Sequence, residues 1–102
     1  MLLDKTPHIR VFKLVTGEEI IAKVTATRDN TFEIEQPRQP MTTEAGVQLV
    51  PYMFMIDPKK PLSLNRDLVI MDSEPTEKVK ATYESIITGI AVPTKPSIIT
   101  GV

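Results

Sequence analysis

Cysteine is absent from the sequence, and that absence removes disulfide scaffolds, thiolate metal sites and cysteine nucleophiles together. The single histidine, His8, has no second imidazole with which to share a metal, whereas such sites need about three or four converging ligands. It reads as a solvated residue at the start of a strand. None of Ser63, Ser73, Ser85 and Ser97 lies in a G-x-S-x-G turn, and with His8 as the only imidazole base a hydrolase triad has no support. The four glycines are scattered at positions 17, 46, 89 and 101, so there is no glycine-rich phosphate loop. Glu18 and Glu19 point to opposite faces of an extended strand and diverge, where an acid/base pair must converge. The expectation is a protein with no enzymatic activity, no cofactor and no metal.

An excess of charge of one sign is also missing. Twelve basic and thirteen acidic residues leave a net charge of −1, so no bulk positive field draws in a polyanion. Any contact with nucleic acid must be local or built by assembly. No apolar run approaches the roughly 18 residues of a membrane span. The start, MLLDKTPHIR, lacks the basic, apolar and small-residue succession of a secretory signal. These features predict one soluble, cytoplasmic domain over residues 1–102 with no membrane association.

Proline, by contrast, is plentiful. Nine prolines cut the chain into short pieces, since each fixes φ and deletes a backbone donor. Between them apolar residues alternate, which argues for short strands. The first strand falls at residues 9–15, with Phe12 and Leu14 in one phase and Ile9 and Val11 in the other. Thr16-Gly17 supplies a tight turn, and a second strand, residues 19–27, alternates Ile20, Ala22 and Val24 against Ile21, Lys23 and Thr25. A third begins after the Asp29-Asn30 turn signal, with Phe32 and Ile34 inward and Glu33 and Glu35 outward.

Residues 37–46 break this pattern and read as a loop. Residues 47–56, VQLVPYMFMI, are nearly continuous in apolar side chains, which predicts a strand covered on both faces. Pro51 cannot donate to a ladder and so belongs at an edge or a bulge. An apolar edge needs a partner, and another subunit supplies it in this reading, with Leu49, Val50, Tyr52, Met53 and Phe54 at the interface. A turn at DPKKP, residues 57–61, leads to a last strand or bent pair of strands over 62–71, interrupted by Asn65-Arg66-Asp67. Beyond this the period changes. Pro75 suits a first helical turn, Ser73 or Thr76 can cap, and Val79, Tyr83, Ile86, Ile87 and Ile90 form a stripe, predicting an amphipathic helix over about residues 75–89 with Gly89 at its end. The tail, residues 90–102, is expected to be only partly ordered.

Five short, bent antiparallel strands followed by a helix, with the strands in residues 8–72, outline a mainly β, small SH3-like barrel. Within it, VFKLVTGEEIIAKVTATRDNTFEIEQP resembles the first Sm motif, with Phe12, Leu14, Gly17, Glu19, Ile20, Val24, Asp29, Phe32 and Ile34 on matching positions and one residue inserted before Asp29. The wider chain, residues 9–90, is similar to small Sm-like proteins of tailed bacteriophages in TGEEIIAKV, a Gln- and Pro-rich loop, an LVPYMF strand and EPTEKVKATYESI leading into a helix.

The resemblance implies a homo-oligomeric ring closed by pairing the fourth strand of one subunit with the fifth of the next, which adds Leu68, Val69 and Ile70 to the interface. It also implies single-stranded, often uridine-rich, RNA as ligand, an RNA chaperone role, and a location in the host cytoplasm. Two loops would carry the RNA: Asn30, Phe32 and Glu33 in one, Asn65, Arg66 and Asp67 in the other. Phe32 would stack on a base, Asn30 and Asn65 would bond base edges, and Arg66 would meet phosphate. Glu33 stands where the family offers an Asn, and Asn65-Arg66-Asp67 stands for Arg-Gly-Asp or Arg-Gly-Asn. A carboxylate beside a phosphate path repels it, so the alternative expectation is a phage scaffold or protein-interaction module that binds no nucleic acid.

Overall fold

The structure, a computed structural model, describes residues 2–4, 7–89 and 98–99. Eight strands and one helix follow in order: β1 (Leu2–Asp4), β2 (His8–Leu14), β3 (Glu19–Arg28), β4 (Thr31–Thr43), β5 (Gly46–Pro51), β6 (Leu62–Asn65), β7 (Val69–Ser73), α1 (Glu77–Thr88) and β8 (Ile98–Ile99). A single 3-10 turn, Arg66–Leu68, joins β6 to β7. The fold is mainly β, an antiparallel sheet with a C-terminal helix.

The β2–β3 hairpin turns at Gly17, whose φ of 102° is open to glycine and strained for other residues. Its register, Phe12 opposite Ile20 and Arg10 opposite Ala22, puts Phe12, Leu14, Ile20, Ala22 and Val24 on one face of the sheet. With Phe32 and Ile34 from β4 they form the main core, flanked by Tyr52, Leu62, Leu64 and Val69. Ile21 points through the opposite face and packs with Leu49 and Tyr83, beside Ile9, Val11, Val47, Val79, Ile86 and Ile87. The central strand β3 is therefore covered on both sides, by the bent sheet and by α1. This explains its run of apolar residues.

The helix matches its sequence signals closely. Thr76 is the N-cap, its Oγ1 accepting from Val79 N at 3.2 Å, Glu77 complements the helix dipole, and Gly89 closes the C-terminus at φ 74°. Pro75 lies just before the cap rather than in the first turn. Ile90 and the tail fall outside the described residues except for Ile98–Ile99.

Three expectations from sequence change. The segment 37–46 is not a loop: β4 runs to Thr43 and returns through a short turn into β5. Gln36 takes a φ of 50° at a bulge where the β3 register slips between Ile21 and Lys23. Pro37 sits in that bulge, the place a sheet tolerates proline. Pro40 faces Leu49 in the β5 register, and beyond Arg38 no strand among the described residues pairs with the other edge of β4, so its missing donor costs no bond there. Second, β5 stops at Pro51, and Tyr52, Met53 and Phe54 lie beyond it rather than within a strand. Third, the sheet is not closed: it runs β7-β2-β3-β4-β5-β8, with β6 branching from β4 and β1 from β3, and among the described residues β6 and β7 do not pair with each other.

Candidate functional site

The two loops singled out in the sequence meet at one end of the sheet, although 35 positions separate Asn30 from Asn65. Pairing of β4 with β6 sets Thr31 opposite Asn65 and Glu33 opposite Ser63. Arg66 then ties the loops together. Its backbone N donates to Asn30 O at 2.9 Å, its Nη1 donates to Arg28 O at 2.6 Å, and its guanidinium lies over the Phe32 ring, 5.1 Å from the centroid. Such a cation–π contact contributes about 0.5–2 kcal/mol depending on desolvation.

Phe32 is 8% exposed. Arg66 covers its ring, and Phe12 packs against it with centroids 5.0 Å apart and planes tilted by 50°. It is a core residue, which corrects the expectation of an open ring ready to stack on a base. The alternation that points Phe32 inward also buries it. Asn65 is exposed, and its Oδ1 accepts Asp67 N at 2.9 Å, capping the 3-10 turn. Asn30 and Asp67 are exposed.

Glu33 is held by two neighbours that sequence reading missed. Thr25 Oγ1 donates to its Oε2 at 2.7 Å, and Arg28 Nη1 to its Oε1 at 3.3 Å. The Thr25 hydrogen bond, with help from Arg28, holds this carboxyl below the ordinary glutamate range against a smaller opposing effect of burial. The signal lay in the hairpin: Arg28 and Glu33 flank the Asp29-Asn30 turn, and Thr25 is the extra residue where the register shifts between Val24 and Ala26. Over residues 28–33 and 65–67 two basic side chains, Arg28 and Arg66, meet three acidic ones, Asp29, Glu33 and Asp67. The rim is charge-mixed with a slight acidic excess.

The residues expected at a subunit interface separate into two groups. Leu49 is buried under α1, Val69 and Tyr52 pack on the main core, and Val50 is half-buried. Met53, Phe54, Leu68 and Ile70 are exposed, as are their neighbours Met55 and Met71. Leu49 is thus a core residue, corrected from the interface set because β5 lies beneath the helix. Phe54 at 80% and Met55 at 99% exposure cap a loop, while Ile70 at 56% and Met71 at 69% lie on β7.

Among the described residues no three His, Cys, Asp or Glu side chains cluster as metal ligands, and no helix is long and apolar enough to cross a membrane. No protein-family model matches the chain, and neither does any curated protein.

Proposed function

We propose that this chain is the subunit of a homo-oligomeric, Sm-like ring in which the free edge of β6 in one copy pairs with the free edge of β7 in the next. The observation that carries the reading is the pair of open edges. Among the described residues β6 pairs only with β4 and β7 only with β2, and a 3-10 turn, Arg66–Leu68, joins them. Ile70 and Met71 on β7, and Leu68 in the turn before it, are exposed, and an apolar edge of this kind pairs with another chain unless something covers it. A head-to-tail contact between two different edges closes into a ring when its rotation permits.

In the RNA-binding form of this proposal, Asn30 and Asn65 meet base edges and the Arg66 guanidinium offers the flat surface for a base, with Phe32 beneath it as support. The balance of charge on the rim favours a second reading, a ring that serves as a protein-binding scaffold. Arg28 and Arg66 are outnumbered by acids there, and Nη1 of Arg66 already donates within the chain, to Arg28 O. A titration with a labelled uridine-rich oligonucleotide at low and moderate salt separates the two. RNA binding through Z phosphates gives an affinity that falls with salt at a slope of about −0.7Z. No salt-dependent binding at micromolar protein rejects RNA and leaves the scaffold.

A further inference from the structure

The outer edge of β5 presents backbone groups that have a short occupant. In the β4–β5 ladder Pro40 stands opposite Leu49, and since proline has no N–H that pair is not hydrogen-bonded. The alternate pairs, Gln39 with Val50 and Met41 with Gln48, carry the bonds. The bond from Tyr52 N to Pro37 O, 2.9 Å, continues the same alternation. Val47, Leu49 and Pro51 therefore turn their backbone groups away from β4. Arg38 Nη1 donates to the Leu49 carbonyl at 3.1 Å, and β8 meets the row antiparallel, Val47 opposite Ile99 and Gln48 opposite Ile98.

The occupant has the composition of a strand built for a short seat. The occupant, β8, is Ile98–Ile99, two β-branched residues that favour extended backbone, and the sequence two positions before it has Pro96, a residue without a backbone N–H. The seat suits an apolar strand. Next to Val47 and Leu49 lies a cleft of about 170 Å³ lined also by Val11, Pro40 and Val79, with Glu19 its one charged residue.

Eight residues, 90–97, connect Gly89 to Ile98. Fully extended they reach about 26–29 Å, close to the 28 and 27 Å shorter dimensions of the molecule, which is far enough to arrive at the same edge of an adjoining copy. A two-residue ladder adds only a bond or two, too few to commit a tail to its own chain. Copies held side by side offer one another's tails at an effective concentration similar to that of the tail in cis, on the order of millimolar.

We propose that the outer edge of β5 is a strand-acceptor site for the C-terminal strand of a second copy of this chain, so that tails are exchanged between neighbouring subunits. The exchange rests on the assembly of copies proposed above, and it uses an edge distinct from those of β6 and β7.

Because the chain has no cysteine, engineered thiols can react only with one another. One full-length copy carries Gln48→Cys and a second, isotope-labelled, carries Ile98→Cys; they are mixed and allowed to oxidise. The expected result is a disulfide-linked mixed dimer identified by mass, absent when the second copy instead carries Glu84→Cys on the exposed face of α1. A chain carrying both substitutions that closes only on itself, with no mixed dimer from the separate copies, overturns the exchange. Absence of both cross-links overturns the acceptor site altogether. Light scattering on the same samples distinguishes the two proposals: an oligomer without the mixed dimer rejects the exchange alone, and a monomer without it rejects assembly and exchange together.

Discussion

Removing one hydroxyl, Tyr83→Phe, tests how the helix holds the bend in β4. Tyr83 is fully buried and reaches from α1 to the kink, where its OH lies 2.8 Å from Gln36 O and 3.2 Å from Glu35 O. Gln36 is the one non-glycine with positive φ among the described residues, a conformation that costs about 1–2 kcal/mol for an L-residue. A hydrogen bond of this kind contributes a net ~1 kcal/mol, and a buried carbonyl left without its donor costs about 1–3 kcal/mol. Phenylalanine keeps the packing, so the expected loss is about 1–2 kcal/mol. That lowers the thermal midpoint by about 4–8 °C for each kcal/mol in a domain of this size.

Urea denaturation at fixed protein concentration reads the change, since association shifts apparent stability. Glycine holds a positive φ without steric cost, so in a Gln36→Gly background the same hydroxyl has less to restrain. The double-mutant cycle should then give a coupling of about 0.5 kcal/mol or more. High pH gives an independent signature. Burial raises the Tyr83 phenol above the usual tyrosine value, outweighing the lowering effects of a backbone hydrogen bond and of Arg38. The unfolded phenol ionises near pH 10 while the folded one resists, so the unfolded state binds fewer protons there. Stability from this group is intact below about pH 10 and falls above it by up to about 1.4 kcal/mol per pH unit. The phenylalanine variant lacks this loss. An unchanged urea midpoint, or no coupling in the cycle, would refute the role assigned to the hydroxyl.

Two further outcomes follow from local geometry. Gly89→Ala should destabilise by about 1 kcal/mol although open space surrounds the new methyl, because φ 74° alone strains it; an unaffected urea midpoint would contradict that reasoning. Carboxyl NMR should find Glu33 titrating below the ordinary glutamate value, and Thr25→Val should move it back upward. The stability linked to this lowered value is present above the ordinary glutamate range and is lost as pH falls through the folded value. A Glu33 titration indifferent to Thr25 would show that the hydrogen bond is not the cause.

Much of the architecture was legible because it rests on local rules. Gly17 marks a hairpin, alternation separates Phe12 and Leu14 from Ile9 and Val11, and Thr76 and Gly89 bound the helix; each signal acts within a few residues of where it is read. The failures came where a local breaker met a non-local remedy. Pro37 and Pro40 look like a loop, yet one occupies a bulge and the other an edge position whose missing N–H opposes nothing. Neither fact is visible without the β3 and β5 registers. The candidate site shows the same division. The convergence of residues 30–33 with 65–67 was expected from the motif. The burial of Phe32 beneath Arg66, and the capture of Glu33 by Thr25 and Arg28, depend on side chains meeting across strands.

The central claim concerns the β6 and β7 edges, and molar mass in solution tests it most directly. Multi-angle light scattering at micromolar concentration should give a whole multiple of 11.4 kDa larger than a dimer. The full-length Ile70→Glu/Met71→Lys variant, altered only at exposed positions of β7, should fall to 11.4 kDa with unchanged far-UV circular dichroism. A wild-type mass of 11.4 kDa, or an edge variant that keeps the oligomeric mass, would contradict assembly through these edges.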